Sequence, residues 1–197
     1  MTFEGIDGSG KSTQADLLAE ALRAESRNVV ATREPGGTEL GERIRDLLLG
    51  HGANISPWAE TALFAAARAQ LVEQVIYPAL RAGADVVCDR YLDSSLAYQG
   101  LARGLGVERV LELNLHATRG LLPDRTFLLV LDPEEALRRA PDDRDRIERE
   151  GVELQAAVER AYEELATMFP NRIKKLDGRQ PAAELARIVR DELRELS

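Results

Sequence analysis

The stretch GIDGSGKST, Gly5 to Thr13, limits the fold more than anything else in the chain. Gly5, Gly10, Lys11 and Ser12 fit the spacing G-x-x-x-x-G-K-[ST]. An apolar run, TFE, precedes it, and QADLLAEALRAE follows, with Leu18 and Leu22 four residues apart and Ala15 and Ala19 beside them. A strand, a glycine turn and a helix in that order form a cradle for phosphate. Glycine lets main-chain N–H groups approach phosphate oxygens closely, and the following helix points its positive end at the same place. Gly5, Ile6, Asp7, Gly8, Ser9, Gly10, Lys11, Ser12 and Thr13 are therefore expected to hold nucleotide phosphates. Lys11 would reach the β- and γ-phosphates, and the Ser12 hydroxyl would ligate Mg²⁺.

The rest of the chain alternates in the same way. NVVAT, ADVVC, RTFLLVLD and NRIKKLD read as further strands. ELGERIRDLLLG carries Leu40, Ile44, Leu47 and Leu48 at helical spacing, and a long helix is expected from Pro57 to Leu80. About five strands alternating with helices predict an α/β fold: a parallel sheet, covered on both faces, of the three-layer phosphate-loop type. The chain has 197 residues and no internal repeat or linker, so one domain is expected. Arg138 to Gly151, almost wholly charged, reads either as a solvated loop or as a lid carrying arginines.

Composition narrows the partners. The net charge of −8 argues against extended nucleic acid but leaves room for a small anion. No apolar run approaches 18 residues, and no signal-peptide pattern opens the chain. A cytoplasmic protein without a membrane partner is expected. The lone cysteine, Cys88, reads as a buried core thiol and fits a reducing compartment. His51 and His116 read as structural or surface residues. Only Lys11, Lys174 and Lys175 among the 26 basic residues are lysines, so position 11 escapes a strong arginine bias. A compact ammonium suits the loop better than a planar fork.

Ligands of parallel sheets bind beyond the carboxyl ends of the strands. There NVVAT leads into Arg33 of REPGG, and DVVC leads into Asp89 and Arg90 of DRY. Asp89 is a candidate for Mg²⁺, directly or through water. Two arginines at equivalent strand ends, beside a phosphate cradle, point to a second anionic guest, as a phosphotransferase needs for its acceptor.

FEGIDGSGKST, TREPGGT, LFAAARAQL, DRYLDSSLAYQG and DRIE, in that order, resemble the thymidylate kinases, from Phe3 to about Gly178. The resemblance implies Mg²⁺-dependent phosphoryl transfer from ATP to dTMP within one nucleoside monophosphate kinase domain, and a homodimer. It implies that Asp7 holds the sugar 3′-hydroxyl and that Arg33 and Arg90 clamp the dTMP phosphate. Phe64 would stack on thymine, although an aromatic there is equally an ordinary core residue. Arg68 would bond the base edge, Ser94 and Ser95 the pyrimidine, and Tyr98 would lie against the deoxyribose with Gln99 nearby. Ile6, Asp7, Gly8 and Ser9 stand between Gly5 and Gly10 with no basic residue among them, so by the resemblance the lid would supply the helper arginine. Arg146 comes first, then Arg144 and Arg139, with Glu148 tying the lid down. Lys11, Asp7, Arg90 and Arg146 are thus the expected catalytic set, with Ser12 and Asp89 at the metal. The lid here, RRAPDDRDRIE, lacks the glycine often seen after the family's arginines, and Ala65 replaces a larger residue sometimes found beside the stacking aromatic. A kinase of another nucleoside monophosphate or of a deoxynucleoside is the alternative. A GTPase-like switch lacks its N-K-x-D signature, and intact Lys11, Ser12 and Asp89 argue against a non-catalytic relative.

Overall fold

The computed structural model of the chain describes residues 1–50, 54–139 and 145–194. Five strands form one parallel sheet: β1 Thr2–Glu4, β2 Val29–Arg33, β3 Asp85–Asp89, β4 Thr126–Val130 and β5 Ile173–Asp177. Their order is β2-β3-β1-β4-β5, with β1 in the middle. The register sets Phe3 against Asp89 on one side and against Phe127 on the other. The carboxyl ends of β2, β3 and β1 consequently finish together, which brings Arg33, Asp89 and the glycine loop to one edge.

The strands alternate between two buried faces, as parallel strands do when helices cover both sides. Phe3, Val87, Phe127, Leu129 and Leu176 face one way, onto Leu18 and Leu22 of α1 (Lys11–Ala24) and Leu185 and Val189 of α9 (Ala182–Arg194). The Phe3 and Phe127 rings stack at 5.3 Å. Val86, Cys88 and Leu128 face the other way, into a larger core with Leu96, Val158 and Tyr162. Cys88 is buried there, as expected. Glu4 shares this second face, so a carboxylate sits in an apolar layer directly under the glycine loop.

The other helices are α2 Glu39–Leu49, α3 Pro57–Leu71, α4 Tyr77–Arg81, α5 Leu92–Ser95, α6 Val107–Thr118, α7 Pro133–Arg139 and α8 Val152–Met168. The single helix expected from Pro57 to Leu80 is interrupted by π-helical turns at Val72–Ile76. Pro78 explains the break: it has no N–H for the carbonyl four residues back, and a wider turn absorbs the mismatch. A second π-helical stretch, Leu96–Ala102, carries Tyr98 and Gln99. Of the expected lid, Arg138 and Arg139 end α7, and a 3₁₀ turn spans Glu148–Glu150. Arg144 and His51 lie outside the described residues. Among the described residues, no helix is long and apolar enough to cross a membrane.

Candidate active site

A cavity of about 580 Å³ opens at the carboxyl edge of β1, β2 and β3. On one side of it lies the glycine loop. Gly5, Gly8 and Gly10 all have positive φ, which turns the main chain tightly around the space where phosphate would sit. At Gly5 the reason for glycine is steric as well: a Cβ there would lie 2.5 Å from the Leu129 carbonyl oxygen. Lys11 is 5% exposed, donates from Nζ to the Ile6 carbonyl at 2.8 Å and lies 3.5 Å from Asp7 Oδ1. Burial pushes its ammonium below the usual lysine range, helped by the nearby Arg90 charge and opposed by Asp7.

Ser12 Oγ donates to Asp89 Oδ2 at 2.5 Å, although 77 residues separate them in the chain. Asp89 Oδ1 is buried and accepts no hydrogen bond. A hydroxyl and a carboxylate with an unpartnered oxygen, at the mouth of a phosphate cradle, fit Mg²⁺, which typically takes one or two protein ligands and completes its shell with phosphate and water.

Arg90 is the centre of the facing side. It has φ +66°, unusual for a non-glycine residue. Its guanidinium donates to Asp7 Oδ1 at 2.5 Å, the Gly5 carbonyl at 3.0 Å and Ser94 Oγ at 3.1 Å, and it lies 5.6 Å from the Tyr98 ring centroid. Burial alone would lift the Asp7 carboxyl, but Arg90 and then Lys11 outweigh it and hold the group well below the usual carboxylate range. Beneath Arg90, Glu4 accepts from Ser94 Oγ at 2.6 Å, Tyr162 Oη at 2.8 Å and the Tyr91 N–H at 2.8 Å. Burial and the neighbouring Asp93 push Glu4 up to about 7, against the pull of Arg90.

Arg33 stands at the opposite wall, exposed and 3.2 Å from Glu42. The sequence expectations converge well. Asp7, Gly8, Gly10, Lys11, Ser12, Thr13, Arg33, Phe64, Asp89, Arg90, Ser94, Ser95, Tyr98 and Gln99 all line the one cavity. Gly5, Ile6 and Ser9 stand behind its surface as buried parts of the loop.

Arg68 and Arg146 sit elsewhere. Arg68 is 1% exposed and lies behind the wall. Its guanidinium pairs with Glu34 at 2.5 Å and donates to Ser95 Oγ, Asn114 Oδ1 and the Tyr91 carbonyl. Arg146 donates to Glu60 at 2.5 Å and to the Leu48 carbonyl at 2.7 Å, away from the cavity. Arg139 does line it, anchored on Glu135 and the Gly178 carbonyl. Arg45, Asp145 and Ile147 line it too, unnoticed in the sequence. Glu4, Glu34 and Asn114 were also missed, because each acts on another site residue, and only the fold brings the two together.

Comparison with known proteins decides what this arrangement belongs to. The family model described as thymidylate kinase matches residues 3–188. The chain belongs to the thymidylate kinase family. It is a phosphotransferase, and its reaction converts dTMP to dTDP. A thymidylate kinase of a Thermoanaerobacter species is 46% identical over 192 residues, covering 97% of this chain and 93% of that protein. One of Pelotomaculum thermopropionicum is 50% identical over 183 residues, covering 90% and 84%. The crystal structure of thymidylate kinase from Ehrlichia chaffeensis superposes with a TM-score of 0.79 at 33% identity, covering 98% of this chain and 96% of that one.

Proposed function

We propose that the cavity holds ATP and dTMP end to end and that the residues lining it transfer the γ-phosphoryl group with Mg²⁺. The observation that carries this reading is the convergence of the glycine loop with Arg33 and Arg90 on a single cavity. The loop amides and Lys11 take the donor phosphates. Ser12 and Asp89 would hold Mg²⁺, which supplies charge neutralisation at the phosphate oxygens when bound. Arg90 and Arg33 take the dTMP phosphate, and Asp7 takes the 3′-hydroxyl while keeping Arg90 aimed.

An oxygen of the acceptor phosphate attacks the γ-phosphorus, and the bond to the β-phosphate oxygen breaks. The attacking phosphate oxygen is already ionised and the leaving β-phosphate oxygen takes up the negative charge as its bond breaks, so the protein need only align the groups and steady the charge. Phe64 stacks on thymine, Ser94, Tyr98 and Gln99 enclose the nucleoside, and Ser95 bonds the pyrimidine. Arg68 reaches the base edge by releasing its present bond to Ser95. Segment 138–151 works as a lid of one catalytic domain. We assign the helper role to Arg139, which lines the cavity, rather than to Arg146, which is held by Glu60.

The same reading includes a cytoplasmic setting and a homodimer. In support of the dimer, the large apolar side chains of Leu40 and Leu47, two turns apart on α2, stand exposed. Sedimentation analysis tests it. For the chemistry, the protein is incubated with Mg²⁺-ATP and a panel of nucleoside monophosphates. Formation of dTDP well ahead of UDP or ADP is the expected result, and preference for UMP or AMP would overturn the thymine assignment. Some turnover of dUMP is expected, because one methyl contact is worth about 1–3 kcal/mol.

A further inference from the structure

Glu60 opens the first turn of α3, where the phosphotransfer chemistry has no use for it. It is 1% exposed, an unusual place for a carboxylate without partners. Its partners come from two distant parts of the chain. Oε1 accepts from Gln99 Nε2 at 2.8 Å and from Arg103 Nε at 2.7 Å. Oε2 accepts from Arg103 Nη2 at 3.1 Å and from Arg146 Nη2 at 2.5 Å. Glu150 closes the group, accepting twice from Arg103, at 2.6 and 2.9 Å. Two carboxylates and two guanidiniums therefore balance in a largely buried cluster. Such a cluster stays favourable only while every member is paired.

The placement of these partners gives the cluster a task. Arg146 and Glu150 belong to the segment after α7. Gln99 and Arg103 belong to the acceptor side, and Gln99 lines the cavity. Phe64, four residues beyond Glu60 on α3, lines it as well. Arg146 also donates from its backbone N–H to the Leu49 carbonyl at 3.1 Å, and Leu49 is another cavity residue. One buried carboxylate thus ties the segment that carries Asp145 and Ile147 to the wall that would receive the nucleoside.

We propose that Glu60 is a positioning residue that latches segment 145–150 onto the acceptor wall, so that this segment and the Gln99 amide are set in place together. The proposal rests on reading the cavity as the dTMP site. Without the Glu60 charge, Arg103 and Arg146 face each other with only Glu150 between them, Gln99 loses its anchor, and the segment keeps only Glu150 on Arg103 and Arg146 on the Leu48 and Leu49 carbonyls, a looser hold. The acceptor, not the donor, bears the consequence, because no glycine-loop residue touches the cluster.

The test is a double-mutant cycle with Glu60→Gln, Arg146→Gln and the double variant, read by kinetics and by amide hydrogen exchange of residues 145–150. Glu60→Gln is expected to raise KM for dTMP at least about fivefold, the lower end of typical coupling between sites. KM for ATP should stay within about twofold, and exchange in 145–150 should quicken. Arg146→Gln should act in the same direction. The double variant should be no worse than Glu60→Gln alone, since both changes open one latch. Multiplicative effects would overturn the proposal, as would unchanged exchange, or faster exchange with KM for dTMP unaltered. Should Glu60→Gln fail to fold, Arg146→Gln decides, because Glu60 then keeps Arg103 and Gln99. Unchanged exchange and KM in that variant would sink the latch. Exchange needs no substrate, and wild-type turnover of dTMP is measured in parallel, so failure of the latch is distinguishable from failure of the substrate assignment.

Discussion

The two sides of the cavity are built by different means. The proposed donor side is nine consecutive residues, built around main chain: three glycines at positive φ and a helix start. The proposed acceptor side is assembled from side chains on β2, α3, the residue that follows β3, α5 and the Leu96–Ala102 turn. Four of its groups are held by carboxylates or an amide far away in sequence, whereas Arg33 meets only the exposed Glu42 nine residues on. Glu4 supports Ser94, Asp7 aims Arg90, Glu34 and Asn114 fix Arg68, and Glu60 fixes Gln99. A backbone cradle tolerates neighbours changing identity, provided that the glycines remain. A side-chain wall depends on every member of its support.

That contrast can be broken or sharpened by mutation. The largest effect is expected at Lys11, the one side chain on which the donor cradle depends. Lys11→Ala should lower kcat at least ~100-fold, the usual cost of losing one charge-stabilising donor, and steady-state turnover within threefold of wild type would refute the donor assignment. Arg90→Met comes next. A hydrogen bond to a charged group is worth about 1.5–3 kcal/mol, so kcat/KM for dTMP should fall about 10- to 150-fold. ATP affinity measured by calorimetry should hold, and an equal loss of both would mean that the two sides are not separate.

Glu4 tests the hidden support. Its carboxyl is raised to about 7 in the fold against 4.5 when exposed, so folding favours the protonated form. The stability this lends is complete below pH 4.5 and is lost as pH rises through 7. Chemical denaturation from pH 5 to 8 should therefore show wild type losing about 2–3 kcal/mol relative to Glu4→Gln, which stays neutral throughout. Parallel pH profiles would contradict the raised value. The smallest effect is expected for Phe64→Ala. Loss of one stacking face is worth about 0.5–1.5 kcal/mol, or a two- to tenfold rise in KM for dTMP with KM for ATP unchanged. No change at all would return Phe64 to the role of an ordinary core aromatic.

Legibility followed the same division. The glycine loop, the five strands and the strand-end Arg33, Asp89 and Arg90 could be read directly, because each depends on local spacing or on the rule that parallel sheets bind ligands at one edge. Arg146 could not be placed by its motif. It looked like a helper because it is a lid arginine, whereas its guanidinium sits on Glu60 and the Leu48 carbonyl and Arg139 takes the cavity. Arg68 was expected at the base edge, but nothing in LFAAARAQL signals that Glu34, Ser95 and Asn114 already surround it. The break at Val72–Ile76 was readable from Pro78, although the strong apolar pattern on either side suggested one continuous helix.

By itself, the sequence determined the alternation of strands and helices, the phosphate cradle and the kind of chemistry the chain performs, because glycine conformations and hydrophobic periodicity are properties of short segments. Tertiary structure alone decided which charges meet. A carboxylate's partner is chosen by distance in space, and Glu60 finds its partners 39, 43 and 86 residues along the chain.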